Sequence, residues 1–145
     1  MGDKNWNRSV DFARSAAELG DVTGLYELGI YSQEAEEYEA MVVYFKEALD
    51  IDPEYLPAQL ELARAYIHGW GVEEDEKRGA EMMLELTNAP DKEVQTLASV
   101  NMAVFYARGI GVEPSKARAE EYLEKAENLG YDVPEGIQSI VDELE

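Results

Sequence analysis

Gly69-Trp70-Gly71-Val72-Glu73 is written again, forty residues later, as Gly109-Ile110-Gly111-Val112-Glu113. The flanks repeat with it. Leu62-Ala63 and Tyr66 precede the first copy as Met102-Ala103 and Tyr106 precede the second, and Arg78-Gly79 and Met82 follow as Arg118-Ala119 and Tyr122 follow. Self-similarity at a period of about 20–50 residues marks a stacked repeat, in which each unit buries its apolar face only against its neighbours. Two further echoes extend the pattern. Leu28-Gly29 matches Leu62-Ala63 at an offset of 34, and Ala16, Leu19 and Gly20 match Ala126, Leu129 and Gly130. The first helical stretch therefore reads as the second half of an incomplete repeat.

Apolar residues recur at helical spacing throughout, and strand-like alternation is almost absent. A first helix is expected over about Asn5 to Leu19, with Trp6, Val10, Ala13 and Ala17 on one side and Gly20 as its stop. A second spans Val22 to Gln33 behind an Asp21 N-cap, with Leu25, Leu28 and Ile30 inward. A third spans Ala35 to Leu49, striped by Tyr38, Met41, Val42, Phe45 and Ala48 and closed by Asp52-Pro53. Pro57 suits the first turn of a fourth, which carries Leu60, Leu62, Ala63, Tyr66 and Ile67 to its stop at Gly69. Asp75 caps a fifth with Ala80, Met83, Leu84 and Leu86; Pro90-Asp91 opens a sixth with Val94, Leu97, Ala98, Met102, Phe105 and Tyr106. Pro114-Ser115 opens a seventh with Ala119, Tyr122, Leu123, Ala126 and Leu129, and an eighth begins at Pro134 with Ile137, Ile140, Val141 and Leu144. In the Gly-x-Gly turn the backbone can reverse where a Cβ would cost energy, with Val72 filling the gap beneath. The expected fold is an all-α, right-handed solenoid of antiparallel helix pairs with about eight helices. It forms one domain over 1–145: a half repeat at about 5–20, repeats at about 22–53, 56–89 and 91–130, and a capping helix at about 134–144.

Composition removes several function classes. There is no run of about eighteen apolar residues to span a membrane, and Met1-Gly2-Asp3-Lys4-Asn5-Trp6 has no apolar h-region, so no secretory signal is expected. Zero cysteines exclude disulfides, thiolate metal sites and cysteine nucleophiles, and point to a reducing cytoplasm. His68 is the single histidine, so a multi-histidine metal site is impossible and only one imidazole could serve as a base. No serine sits in a Gly-x-Ser-x-Gly setting, and the glycines end helices instead of following strands, which leaves no phosphate-binding loop. No catalytic residue, cofactor or metal is expected. The 32 acids against 12 bases give a formal net charge of −20, a field that repels nucleic acid and anionic membranes and attracts basic partners. Such acidity can also serve solubility alone.

The unit at 22–53 resembles a tetratricopeptide repeat: Leu28-Gly29, Phe45, Ala48 and Pro53 fall at that family's spacings, with Met41 in place of the usual small Ala. The next two units are similar to Sel-one-like repeats, tetratricopeptide relatives with a longer turn between their helices. The phrase is carried by Leu62, Tyr66, Gly69, Gly71, Val72, Asp75, Arg78 and Gly79, and again by Met102, Tyr106, Gly109, Gly111, Val112, Ser115, Arg118 and Ala119. Arg78 and Arg118 stand for Lys, Ser115 for Asp and Gly79 for Ala. The resemblance implies a non-enzymatic adaptor that holds a protein or peptide in a groove lined by the first helix of each pair.

Transferred to this chain, the resemblance places the groove at Tyr26, Ile30 and Gln33, then Leu60, Arg64, Ile67 and His68, then Asn101, Val104 and Arg108. Apolar anchors mixed with a few directional donors suit a peptide-binding face. The alternative is that Ile67 and Val104 belong to the core, with the register shifted by one. The chaperone-tail carboxylate clamp of some tetratricopeptide domains has only scattered equivalents here. Glu34, Glu36 and Glu37 form one acidic run and Glu73, Glu74 and Glu76 another. Neither has the converging loop a hard cation needs, so each is a solvated helix-start face or a docking surface for a basic protein. The second possibility motivates a rival reading: an immunity or inhibitor protein that neutralises a basic toxin, such as a nuclease, by charge mimicry. Trp70 is either a wedge within the turn or an exposed aromatic anchor.

Overall fold

Both copies of the duplicated phrase fold into one turn. Gly69 and Gly109 take left-handed conformations (φ +69° and +70°) and close their helices. The Trp70 and Ile110 amides then donate back to the Ala65 and Phe105 carbonyls at 3.0 and 2.9 Å. The Asp75 and Ser115 amides donate to the Tyr66 and Tyr106 carbonyls, both at 2.9 Å. The computed structural model describes residues 4–144; Met1 to Asp3, part of the stretch read for a leader, and Glu145 lie outside them.

Among the described residues the elements are α1 (Lys4–Glu18), α2 (Val22–Glu34), α3 (Tyr38–Ile51), α4 (Leu56–His68), α5 (Glu76–Leu86), α6 (Lys92–Arg108), α7 (Lys116–Asn128) and α8 (Glu135–Asp142), with no strand. Caps set most starts. The Asp21, Asp75, Asp91 and Ser115 side chains accept the amides of Thr23, Arg78, Val94 and Arg118, each satisfying a donor the helix itself cannot. The third helix begins three residues later than the periodicity suggests, at Tyr38. Glu36 adopts φ +60°, so Ala35 to Glu37 make a connecting turn that no glycine announces.

α2–α3, α4–α5 and α6–α7 are the closely packed antiparallel pairs, and each second helix also meets the first helix of the next pair, as in a right-handed solenoid. The core follows that order. Leu25, Met41, Val42, Phe45, Ala48, Leu62 and Tyr66 form one cluster across α2, α3 and α4. Ile67, Ala80, Met83, Leu86, Ala98, Met102 and Phe105 form the next across α4, α5 and α6. Ala103, Ala107, Ala119 and Leu123 form the last, closed by Val141 of α8 where a further first helix would stand. Two residues of the expected stripes point outward: Leu84 is 36% and Leu97 43% exposed. The true inward rows of their helices run through Met83 and Leu86, and through Ala98 and Met102.

Gly71 and Gly111 show why the turn needs its second glycine. A Cβ on Gly71 would fall 2.8 Å from the Glu39 amide nitrogen, and closer still to the Tyr38 carbonyl. On Gly111 it would fall 2.8 Å from the Ala80 Cβ and closer still to the Glu76 carbonyl. Each turn thus rests on the first turn of the preceding second helix, α3 for one and α5 for the other.

Candidate binding face on the first helices

The echoes define equivalent positions on α2, α4 and α6. Glu27, Glu61 and Asn101 form one row; Ile30, Arg64 and Val104 the next; Glu34, His68 and Arg108 the last. Residues of the first two rows are mostly half-buried and those of the last are exposed, so an open stripe runs along each first helix one turn per row. α2 and α4 face one another across this stripe. Tyr26 lies edge-on to Tyr55 at 5.8 Å, and its phenol feels both Glu61 and Arg64. Burial, then Glu61 and Tyr55, push that phenol above its ordinary value, and Arg64 opposes them.

Nine of the ten residues assigned to this face escape full burial: Tyr26, Ile30, Gln33, Leu60, Arg64, Asn101 and Val104 are half-buried, and His68 and Arg108 are exposed. Ile67 does not. It is 6% exposed and lies against Gly79 of α5, where an added Cβ would meet its Cγ1 at 2.7 Å. Its counterpart Ala107 is also buried, at 7%, so this row belongs to the core and the assignment of Ile67 to the groove is corrected. Arg64 pairs with Glu61 at 3.3 Å, an acidic member of the face that the spacing rule passed over. Leu97, exposed one turn before Asn101, is the other omission; the Asn101 amide donates to its carbonyl at 2.8 Å. It borders a cavity of about 430 Å³ shared with Lys92, Thr96, Leu129 and Tyr131.

His68 is exposed and stacks on Trp70, centroids 4.4 Å apart, and Trp70 stacks on Tyr38 at 5.7 Å. Trp70 is therefore a half-buried wedge that fixes the α4–α5 turn to α3. The same contact brings the acidic runs to one edge. Glu34, Glu36 and Glu37 border the α2–α3 turn, and Glu73, Glu74 and Glu76 the turn seated upon it; all six are exposed. Lys46 and Arg78 line the crevice beside Glu73, Glu74 and Asp75, and the Arg78 guanidinium sits 4.5 Å over the Tyr66 ring. Among the described residues no three His, Cys, Asp or Glu side chains group as a metal site, and no helix is long and apolar enough to cross a membrane.

Paired helices in register, joined by a duplicated Gly-x-Gly turn, define a helical-repeat solenoid. The family profile of the Sel1 repeat matches residues 2–21, 56–86 and 96–131, more than half of the chain. The protein belongs to the Sel1 repeat family. Among solved structures, a protective antigen present in uropathogenic Escherichia coli strains, displaying an SLR fold, has a TM-score of 0.66 at 21% identity. The match covers 92% of this chain and 31% of that one. A Sel1 repeat protein from Oxalobacter formigenes has a TM-score of 0.68 at 20% identity, over 85% of this chain and 50% of that one. The chain thus spans between about a third and a half of these structures, and the likeness to them is one of fold. No curated protein matches.

Proposed function

We propose that this chain is a non-catalytic scaffold that holds a partner polypeptide along the open face of α2, α4 and α6. Sel1 repeats are in general protein–protein interaction scaffolds, and the observation that carries the reading is the row structure of that face. Three successive helices present equivalent, incompletely buried side chains, apolar at Ile30 and Val104 and polar at Glu61, Arg64, Asn101 and Arg108. Core-facing rows of the same helices are closed by their neighbours; this stripe is not. A peptide laid across it would bury Ile30, Val104 and Leu97 and find directional donors at Arg64, Asn101 and Arg108. The double variant Arg64→Glu, Arg108→Glu, which leaves every core residue in place, tests the reading. It should lose a partner captured from the source cell while remaining folded, with a small fall in melting temperature from the loss of the Arg64–Glu61 pair. Retained capture, or catalytic turnover abolished by either substitution, would contradict it.

A second reading is favoured by the junction of the two acidic runs at the edge where Gly71 meets Tyr38. A basic protein docking there would associate faster as salt is lowered. Variants reversing Glu36, Glu37, Glu73 and Glu74, rather than Arg64 and Arg108, would abolish that association, so the two readings separate cleanly.

A further inference from the structure

α1 ends as a second-type helix and packs on α2; among the described residues its Phe12 side meets no other helix. Its end superimposes on that of α7 bond for bond. Leu19 donates to Ser15 and Ala16 as Leu129 does to Lys125 and Ala126; Gly20 to Ala17 as Gly130 to Glu127; Asp21 to Ala16 as Tyr131 to Ala126. The offset of 110 equates Ala13 with Leu123, both buried, and Phe12 with Tyr122. Tyr122 stacks on Tyr106 of α6 at 5.7 Å and 10°, and Leu129, the counterpart of Leu19, borders a cavity whose other wall is the start of α6. The α1 face bearing Phe12 and Leu19 is thus the face that α6 covers on α7. Here it is bare: Phe12 is 70% and Leu19 88% exposed, the highest values among the exposed large apolar residues described. Arg8, Asp11, Phe12 and Ser15 surround a notch of about 150 Å³ on the same face.

We propose that α1 is a homodimerisation element, in which two copies of the chain pair antiparallel through Arg8, Phe12, Ser15 and Leu19. A twofold axis near Ser15 lets Leu19 of each copy enter the notch beside Phe12 of the other. Small Ser15 allows close approach, and Arg8 comes to the C-terminal end of the second copy's α1, beside Glu18, where a cation is favoured. Charge selects this occupant. In a chain of net charge −20 most patches repel a second copy, but the described charges of α1 balance, Arg8 and Arg14 against Asp11 and Glu18, so that two such faces can meet without net repulsion. The opposite end offers α8, with Glu135 and Asp142 and no base. Its outer positions Glu135, Gly136, Ser139 and Asp142 are exposed and supply no apolar surface for Phe12, so head-to-tail stacking is disfavoured.

Sedimentation equilibrium over a range of concentrations tests the proposal. The expected species is a dimer that tightens as ionic strength rises from about 0.15 M to about 1 M, because the Debye length then falls from about 8 Å to about 3 Å and screens the mutual repulsion of the acidic bodies. Phe12→Glu or Leu19→Glu acts twice across the axis and should weaken dimerisation about a hundredfold. Val43→Glu, at a residue of α3 that is 52% exposed, should leave it unchanged. Because the chain has no cysteine, Ser15→Cys with added oxidant gives an independent readout: a covalent dimer formed much faster than by Glu81→Cys. A wild-type monomer at all concentrations, a dimer indifferent to Phe12 and Leu19, an open-ended polymer, or equal cross-linking from the two cysteine variants would each overturn the proposal.

Discussion

Replacing Gly71 by alanine isolates the contact on which the stacking of repeats depends. At φ +71° an alanine bears the left-handed penalty, roughly 1–2 kcal/mol. Its Cβ would also stand 2.8 Å from the Glu39 nitrogen and nearer the Tyr38 carbonyl. Those atoms are backbone in the first turn of α3 and cannot rotate aside, so forcing them apart adds an overpacking cost of about 1–3 kcal/mol. Gly130→Ala is the matched control, because Gly130 has φ +94° but nothing within 4 Å of the added carbon. It should incur only the conformational cost of about 1–2 kcal/mol, and the gain from stiffening the unfolded chain cancels between the two variants. Urea titrations followed by far-ultraviolet circular dichroism should therefore rank Gly71→Ala below Gly130→Ala by about 1–3 kcal/mol, the overpacking difference alone. Gly111→Ala, whose added carbon would meet the Glu76 carbonyl, should behave like Gly71→Ala. Equal stability of Gly71→Ala and Gly130→Ala would refute the claim that the second glycine exists to seat the turn on its neighbour.

Other consequences are as direct. Phe45 is wholly buried at the centre of the first core cluster, and Phe45→Ala should cost about 3–5 kcal/mol in the same titration. The Asp91 carboxylate accepts the Val94 amide at 2.9 Å; Asp91→Ala should cost about 1 kcal/mol, and Asp91→Asn, which keeps an acceptor, markedly less. The Tyr26 and Tyr122 phenols are raised by burial above their ordinary value of 10.0. Each folded-state phenol therefore holds its proton longer than the unfolded one. The stability from this source is fully present below pH 10 and is lost as pH rises through the folded-state values. Melting measured through that range should decline less steeply in Tyr26→Phe than in the wild type.

The solenoid was readable because its determinants are local and repeated. The left-handed stops at Gly20, Gly69, Gly109 and Gly130 and the caps at Asp21, Asp75, Asp91 and Ser115 are single-residue signals with single-residue causes. The α3 start was not readable, since Glu36 holds a left-handed conformation without the glycine that usually marks one. Spacing along one helix also could not tell which of two apolar rows meets a neighbour. Leu84 and Leu97 fit the period yet face outward. Ile67 fits the groove count yet lies under Gly79, whose missing side chain lets α5 approach. The echo that equates Asn101 with Glu61 already places Glu61 on the face, but its position beside Tyr26 is fixed by how α2 meets α4, a long-range contact no local pattern encodes. The bare side of α1 became visible only once α7 showed what normally covers it.

Site-specific photo-cross-linking tests the central claim, that the first-helix face of the stacked repeats is where a partner lies. A photoreactive residue is placed in turn at Glu27, Asn101 and Arg108 on the first helices, and at Glu47, Glu81 and Glu120 on the second helices, all outside the core. The account predicts covalent capture of one polypeptide from the first three positions and none from the last three. Capture confined to Glu47, Glu81 and Glu120 would contradict it.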